Sequence, residues 1–279
     1  MSEAYPADEV SLRSASTENF AIIDLEATEN KVIGEVDRES VPTTIHEGAI
    51  YIHEGEQYAI TRLDYDDHKA YAKKVDVNYY TDAQVESHIK VLDVFEGQQE
   101  GNVKHQHGEI AITTISTMYK KVKFYTHENL GYGKINLPAE DMHTTAYWLI
   151  LSEDIQNLYG KIQPGFSFDL GGGLLALSNV MVNVAPLFIM CDPKDIQAVA
   201  QIRSPFTDLP TLFIYDNYPG GVGFSEKIYE LRNKILEAAR DLIENCGCDE
   251  GCPSCVGPIN QVGNNGKQSA LLILKEAIR

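Results

Sequence analysis

Residues 211–255 read TLFIYDNYPGGVGFSEKIYELRNKILEAARDLIENCGCDEGCPSC, and this stretch decides the fold of the second half of the chain. It opens with a short β-branched and aromatic run, Thr211 to Tyr215, that predicts a buried strand. From Ile228 to Ile243 apolar residues recur at spacings of three and four, which predicts a long helix with one apolar face. A strand followed by a helix indicates an α/β part.

The end of this predicted helix runs directly into four closely spaced cysteines. They follow the pattern C-x-C-x3-C-x2-C and are Cys246, Cys248, Cys252 and Cys255. Four thiolates can surround one tetrahedral ion and leave no open position, so we predict one structural Zn²⁺ per chain. An iron–sulfur cluster uses the same ligands, although its usual bacterial spacing differs. Free or redox-active thiols are a third interpretation.

A glycine loop joins the predicted strand to the predicted helix. Its glycines, Gly220, Gly221 and Gly223, stand where backbone N–H groups at a helix N-terminus can surround a phosphate, which would allow contact with DNA. A tight strand-to-helix turn needs glycines for the same geometric reason, so the pattern leaves both interpretations open. The spacing G-G-x-G is not a dinucleotide-binding fingerprint.

Upstream of this stretch the sequence has the character of short strands. Alternating segments such as Tyr58 to Leu63 and Ala70 to Val77 are separated by Gly-containing turn signals. We therefore predict an α+β chain with a β-rich domain over residues 1–137, either barrel-like or a curled sheet. An α/β domain with the four-cysteine zinc site follows over residues 138–279.

One basic and aromatic stretch stands out in the β-rich part. Lys121 and Lys123 should share one face of a strand, and Lys120 should lie on the other, with Tyr119, Phe124 and Tyr125 between and beside them. Such a surface can touch a nucleic-acid backbone and stack a base. A solvated strand has the same composition, and this alternative stays open.

Two further patterns are weaker. The run from Gly263 to Lys267 superficially resembles a phosphate loop but lacks the required spacing and the hydroxyl residue after the lysine. His105 and His107 should share a strand face, yet two imidazoles without a third ligand make a weak metal candidate. The remaining cysteine, Cys191, is expected to be a small buried hydrophobe.

The chain is acidic, with a formal net charge of −18. A wide nucleic-acid footprint needs a basic face, so any DNA contact should be local or depend on a partner or a further domain. The most apolar stretch, residues 170–191, is interrupted by polar residues and Pro186, which favours a buried helix over a membrane span. The acidic N-terminus lacks the apolar run of a signal peptide, so we expect a cytoplasmic protein that does not bind a membrane.

Several motifs occur in an order that resembles a known family. They are the stretches 141–146, 190–192 and 214–223 together with the four-cysteine motif. Together they resemble the C-terminal zinc-binding region of DEAD/DEAH-box superfamily 2 helicases of the mitomycin repair factor A type. A further stretch, residues 48–72, is similar to the segment that precedes this region, so the resemblance covers most of the chain.

The resemblance implies a parent protein that moves 3′ to 5′ on DNA in repair, powered by ATP and Mg²⁺ in two helicase lobes. It also implies that Cys246, Cys248, Cys252 and Cys255 are zinc ligands. No stretch of this chain matches a Walker A loop or a DEAD or DEAH box, so we expect no ATPase activity from it alone. An accessory module that guides DNA or positions the motor is the leading hypothesis. The alternative is a protein-interaction module with a structural zinc, whose partner could be a repair nuclease.

Overall fold

The computed structural model describes residues 19–27, 31–155 and 167–278, and these residues form two compact units. The first unit contains residues 1–88 and 113–140, and the second contains residues 89–112 and 141–279. The predicted division at residue 137 remains a prediction. Residues 89–112, which fall in the β-rich part of the sequence, pack with the second unit.

The first unit is built on a five-stranded sheet in the order β2-β1-β5-β4-β3. Its strands are β1 (Asn19–Asp24), β2 (Lys31–Asp37), β3 (Ile50–His53), β4 (Glu56–Asp64) and β5 (Lys69–Val75). β1 runs parallel to β5, whereas the other neighbours are antiparallel. β2 and β3 form the two edges, so the sheet does not close on itself. It is a curled half-barrel, which confirms the predicted barrel-like or curled sheet.

The core of this first sheet follows the period-two alternation of its strands. Ala70 and Ala72 of β5 are fully buried, and the residue between them is only half-buried. They pack with Phe20 and Ile22 of β1 and with residues around the short helix α1 (Val41–Thr44). Small side chains in β5 leave room for the larger ones of β1, as close packing requires.

The second sheet contains six strands in the order β10-β11-β9-β7-β6, with β8 paired to β7. They are β6 (Tyr79–Glu100), β7 (Val103–Lys123), β8 (Asn129–Lys134), β9 (Glu140–Leu151), β10 (Ile196–Gln201) and β11 (Thr211–Asp216). The apolar run 146–151, which suits either a strand or a helix, is part of β9. Every residue of β11 is buried, which explains its unbroken apolar sequence.

Helices pack on this sheet within the second unit. They are α2 (Leu170–Ile189), α3 (Phe224–Asn245), α4 (Ile259–Val262) and α5 (Gly266–Ala277). The predicted long helix is confirmed as α3, and Ile228, Ile235, Leu236, Ala239 and Ile243 form its buried stripe. The last helix of the described residues is α5. Strand and helix packing of this kind confirms the α+β class.

The central helix of the second unit is α2. Its Gly173 lies so close to α5 that an added Cβ would come within 2.8 Å of the Ser269 side chain, so the two helices are in intimate contact. By length and composition α2 could cross a membrane. More than half of its most apolar window is buried against the rest of the chain, and core helices of globular domains meet the same criterion.

Candidate metal centre and glycine loop

The four cysteines converge just beyond the C-terminal end of α3. Cys246 is the residue that ends the helix, and Cys255 and Val256 are fully buried in the core of the second unit. A turn closes the loop, because the N–H groups of Cys255 and Gly257 both donate to the Cys252 carbonyl at 3.0 Å. The loop is held against α2 by a hydrogen bond from the Asn179 amide to the Val256 carbonyl.

The sulfur atoms have the separations of a tetrahedral metal site. Cys246 Sγ lies 3.6 Å from both Cys248 Sγ and Cys252 Sγ. Cys255 Sγ lies 3.5 Å from Cys248 Sγ and 3.7 Å from Cys252 Sγ. Zn–S bonds of about 2.3 Å at tetrahedral angles place neighbouring sulfurs about 3.8 Å apart. A disulfide needs about 2.05 Å, so these thiols are unpaired, and the donor set fits zinc.

The surroundings of Cys255 and Cys248 give these two thiols different pKa values. Burial raises the pKa of Cys255 to about 12. Burial also raises the pKa of Cys248, but hydrogen bonds from the other three thiols and from Lys267 outweigh this effect and lower its pKa to about 7. A bound divalent ion favours the thiolate form of every ligand, because ligation requires a deprotonated sulfur.

A buried lysine adjoins this group. Lys267, near the start of α5, is only 8% exposed. Its Nζ donates to the Cys246 carbonyl at 2.9 Å, to the Cys248 carbonyl, and to Cys248 Sγ at 3.4 Å. Sequence reasoning treated Lys267 only as part of a rejected phosphate loop. No local pattern signals its contact with cysteines about twenty residues away.

The glycine loop has its main-chain donors satisfied within the chain. The buried Asp216 carboxylate accepts hydrogen bonds from the N–H groups of four residues at the start of α3, at 2.7–3.0 Å; they are Val222, Gly223, Phe224 and Ser225. Gly220 N–H donates to the His143 carbonyl and Gly221 N–H to the Tyr218 carbonyl. The position where a phosphate would bind is therefore taken by Asp216.

All three loop glycines adopt φ values that side chains rarely tolerate, at +81°, +72° and +91° for Gly220, Gly221 and Gly223. At Gly221 a Cβ would also come within 2.3 Å of the Thr145 hydroxyl. This geometry favours the turn interpretation, and contact between these glycines and DNA remains a prediction. Sequence reasoning missed Asp216, although a carboxylate just before a glycine-rich helix start is a signal for such a cap.

The predicted basic and aromatic stretch lies at the end of β7 and in the turn that follows. Lys120, Lys121 and Lys123 are all half-buried. Lys121 Nζ lies 5.6 Å from the centre of the Tyr79 ring, and Lys123 pairs with Glu128 at 3.4 Å. Tyr125 is 97% exposed, so its ring is free to stack.

Tyr119 is different from these residues, because its ring packs against His46 inside the first unit. The two histidines of β7, His105 and His107, are buried as well. The His105 ring bonds the Tyr147 hydroxyl at 2.8 Å, and the His107 ring stacks on Tyr229. Among the described residues the only potential metal-binding group is that of the four cysteines.

The fold and the thiolate group together define a zinc-binding α+β region. The profile of the MrfA Zn-binding domain matches residues 177–256, which include all four cysteines. The chain is 43% identical over 257 residues to the uncharacterized ATP-dependent helicase YprA of Bacillus subtilis, covering 92% of this chain and 33% of that protein. It is 24% identical over 264 residues to the ATP-dependent helicase HRQ1 of Saccharomyces cerevisiae, covering 90% of this chain and 24% of that protein.

A crystal structure of the DUF1998 helicase MrfA bound to DNA has the same fold as this chain. The TM-score is 0.70 and the identity 41%, over 99% of this chain and 36% of that one. Over nearly its whole length the chain is similar to one part of MrfA-type superfamily 2 helicases, the part that contains the MrfA Zn-binding domain, which confirms the resemblance in its motifs. It spans about a third of the length of YprA and of the MrfA chain in that crystal structure.

Proposed function

We propose that this chain is the zinc-stabilised accessory region of an ATP-dependent DNA helicase, where it guides DNA or positions the motor. The observation that carries the proposal is the four-sulfur group at tetrahedral separations, inside a segment that matches the MrfA Zn-binding domain. Relatives of this chain are named as ATP-dependent helicases, and one similar structure is described as bound to DNA.

In this proposal Cys246, Cys248, Cys252 and Cys255 hold one zinc ion. Four sulfur ligands leave no position for water or substrate, so the ion stabilises the loop and takes no part in a reaction. ATP and Mg²⁺ would act in the helicase lobes, for which this chain has no matching motif. We expect the chain alone not to hydrolyse ATP, and the helicase to act 3′ to 5′ in cytoplasmic DNA repair.

DNA contact in the chain itself is proposed at the end of β7. Lys120 and Lys121 have no carboxylate partner within ion-pair distance among the described residues. Lys123 and the exposed Tyr125 line the same surface depression. A few cations beside an exposed aromatic ring suit a short length of single strand, since the ring can stack a base while lysines meet phosphates. The acidity of the chain as a whole limits such a footprint to this surface.

The test is fluorescence anisotropy of a labelled, single-strand-tailed duplex with the full-length helicase, at low and at high salt. We expect the double variant Lys121→Glu with Lys123→Glu to weaken binding at low salt and to flatten the salt dependence, since fewer counterions are released. The matched control is Lys227→Glu with Lys234→Glu, which makes the same charge change on exposed positions of α3. Equal affinities for the two double variants would remove the β7 surface from the proposal.

The alternative function is a protein-interaction module. It is favoured by the exposed apolar side chains at the end of α2, where Leu187 is 79% and Met190 is 91% exposed. A repair nuclease is one candidate partner. Two results together would favour the protein-interaction function. The Lys121 and Lys123 substitutions would leave DNA binding unchanged, and Leu187→Ser with Met190→Ser would lower helicase activity at an unchanged melting temperature.

A further inference from the structure

The ammonium group of Lys267 is buried without a carboxylate partner. It lies inside the second unit, and the described residues include no Asp or Glu within ion-pair distance of its Nζ. Its three partners are two main-chain carbonyls and one cysteine sulfur. Moving an ammonium ion out of water is unfavourable unless a compensating charge is near. Two carbonyl dipoles supply only part of that compensation.

The missing negative charge is available in the neighbouring sulfur group. A divalent ion bound by four thiolates leaves two negative charges in excess, and this excess also needs a counter-charge when the site is half-buried. Lys267 Nζ, 3.4 Å from Cys248 Sγ, is placed to supply one. The lysine and the sulfur group therefore neutralise each other, and each is costly to bury alone.

The geometry adds a second effect. Cys246 and Cys248 are separated by one glycine, and the same ammonium group binds the carbonyls of both cysteines. It thereby fixes the backbone of the first two ligands from a separate helix, α5. Residues beyond the ligands that fix ligand geometry commonly change metal affinity by roughly 10–100-fold when they are removed.

We propose that Lys267 is the charge-compensating and positioning residue of the metal centre. It stabilises the zinc-bound thiolates and lowers the reactivity of Cys248 towards electrophiles. The inference rests on the proposed assignment of the four cysteines as zinc ligands. No assignment made from the sequence includes this residue.

The experiment compares three substitutions in the full chain. Lys267→Met removes the charge and the donor, Lys267→Gln removes the charge but keeps a donor, and Lys267→Arg keeps the charge. Lys275→Met, at an exposed lysine of the same helix, is the matched control. Zinc affinity is measured by competition with a chromophoric chelator, and the rate of zinc release is measured after addition of an electrophilic thiol reagent.

We expect Lys267→Met and Lys267→Gln to weaken zinc binding by roughly 10–100-fold and to speed zinc release by a similar factor. Lys267→Arg should lose much less, and Lys275→Met should match the unsubstituted chain. If Lys267→Gln binds zinc as the unsubstituted chain does, charge compensation is wrong. If Lys267→Met stays within about twofold of Lys275→Met, the whole inference is wrong.

The cobalt(II) spectrum and the zinc binding of the unsubstituted chain separate this inference from its premises. Replacing zinc by cobalt(II) gives an absorption spectrum that reports tetrahedral sulfur coordination, so a variant that keeps the spectrum has kept the site. Should Lys267→Met fail to fold, Lys267→Gln carries the test, because its amide can still bind the carbonyls. An unsubstituted chain that binds no zinc overturns both the proposed zinc site and this inference, whereas normal zinc binding in every variant overturns only the inference.

Discussion

The two ends of helix α3 satisfy their unpaired backbone groups and partial charges in different ways. Each end of a helix leaves backbone groups without an intrahelical partner and carries a partial charge. At the N-terminal end the chain supplies its own anion, since the Asp216 carboxylate accepts four N–H groups and is fully buried. At the C-terminal end the chain continues into four thiols and the ammonium group of Lys267.

The two ends differ in whether they need a group from outside the chain. The N-terminal end needs no group from outside the chain, because the Asp216 carboxylate accepts four of its N–H groups. The C-terminal loop brings together four sulfurs whose charge, once they are deprotonated, exceeds what one lysine can balance. That end is therefore expected to depend on a metal ion, whereas the other depends only on one side chain. The two ends should respond to different perturbations.

The largest expected effect is at the C-terminal end. Cys252→Ser should lower zinc affinity by at least roughly a hundredfold, because removal of one ligand opens a closed four-coordinate site. Cys191→Ser is the matched control, since Cys191 lies outside the thiolate group. Elemental analysis of protein purified without chelator gives the stoichiometry, which should fall from one zinc per chain to none or nearly none.

Loss of zinc should also loosen a limited segment. We expect new proteolytic cleavage between residues 246 and 258 in Cys252→Ser, while α5 stays docked through its contact with Gly173 of α2. Hydrogen exchange measured by mass spectrometry locates the change. Cleavage spread through the whole second unit would show that the metal supports the core rather than the loop, and visible absorption from bound iron would replace zinc by a cluster.

The next effect is at the N-terminal end of α3. Asp216→Ala should lower the free energy of unfolding by roughly 3 kcal/mol or more, because four buried N–H groups lose a charged acceptor. Zinc stoichiometry should not change. Asp241→Ala, at an exposed position of the same helix, serves as the control and should cost under about 1 kcal/mol. Denaturant unfolding measures both, and equal losses would contradict the role given to Asp216.

The smallest expected effect is a pH dependence of stability that comes from the core rather than from either end of α3. Burial lowers the pKa of His105 to about 4, whereas the imidazole of the unfolded chain titrates near its ordinary pKa of 6.5. The unfolded state therefore binds more protons between these values, so the stability from this group is complete above pH 6.5 and is lost as the pH falls towards 4. The loss amounts to at most about 3 kcal/mol.

This effect is measured on metal-free protein, so that acid release of zinc does not contribute. His105→Phe should flatten the dependence of the unfolding free energy on pH between 6.5 and 4. His127→Phe, at an exposed histidine, should leave the dependence unchanged. A steep dependence that persists in His105→Phe would point to another buried group, for example His107, whose pKa is also lowered by burial.

Much of the fold was open to prediction because its signals are short-range. The apolar stripe of α3 repeats within one turn, and the strand β11 is a run of apolar residues between turn signals. The four cysteines are so close in the sequence that only small loops separate them, and a common ion is a natural consequence. These elements and the zinc prediction needed no knowledge of distant residues.

Other features involve distant parts of the chain and could not be predicted locally. Alternation in β7 does not tell which face is buried, so Tyr119 was grouped with surface aromatics although it is 7% exposed. The parallel pairing of β1 with β5 joins strands more than forty residues apart. Residues 89–112 pack in the second unit through contacts with strands and helices that come much later in the sequence.

The sequence by itself determined the α3 helix, the strand before it, the four-sulfur group and the family. The first three depend on spacings of a few residues, which local geometry translates directly into structure, and the family resemblance depends on the order of several short motifs. Only the tertiary structure decided that Asp216 fills the anion position beside the glycine loop and that Lys267 reaches the sulfurs from another helix. A charge needs a compensating partner only where folding has excluded water, and that partner is whichever group the folded chain places beside it.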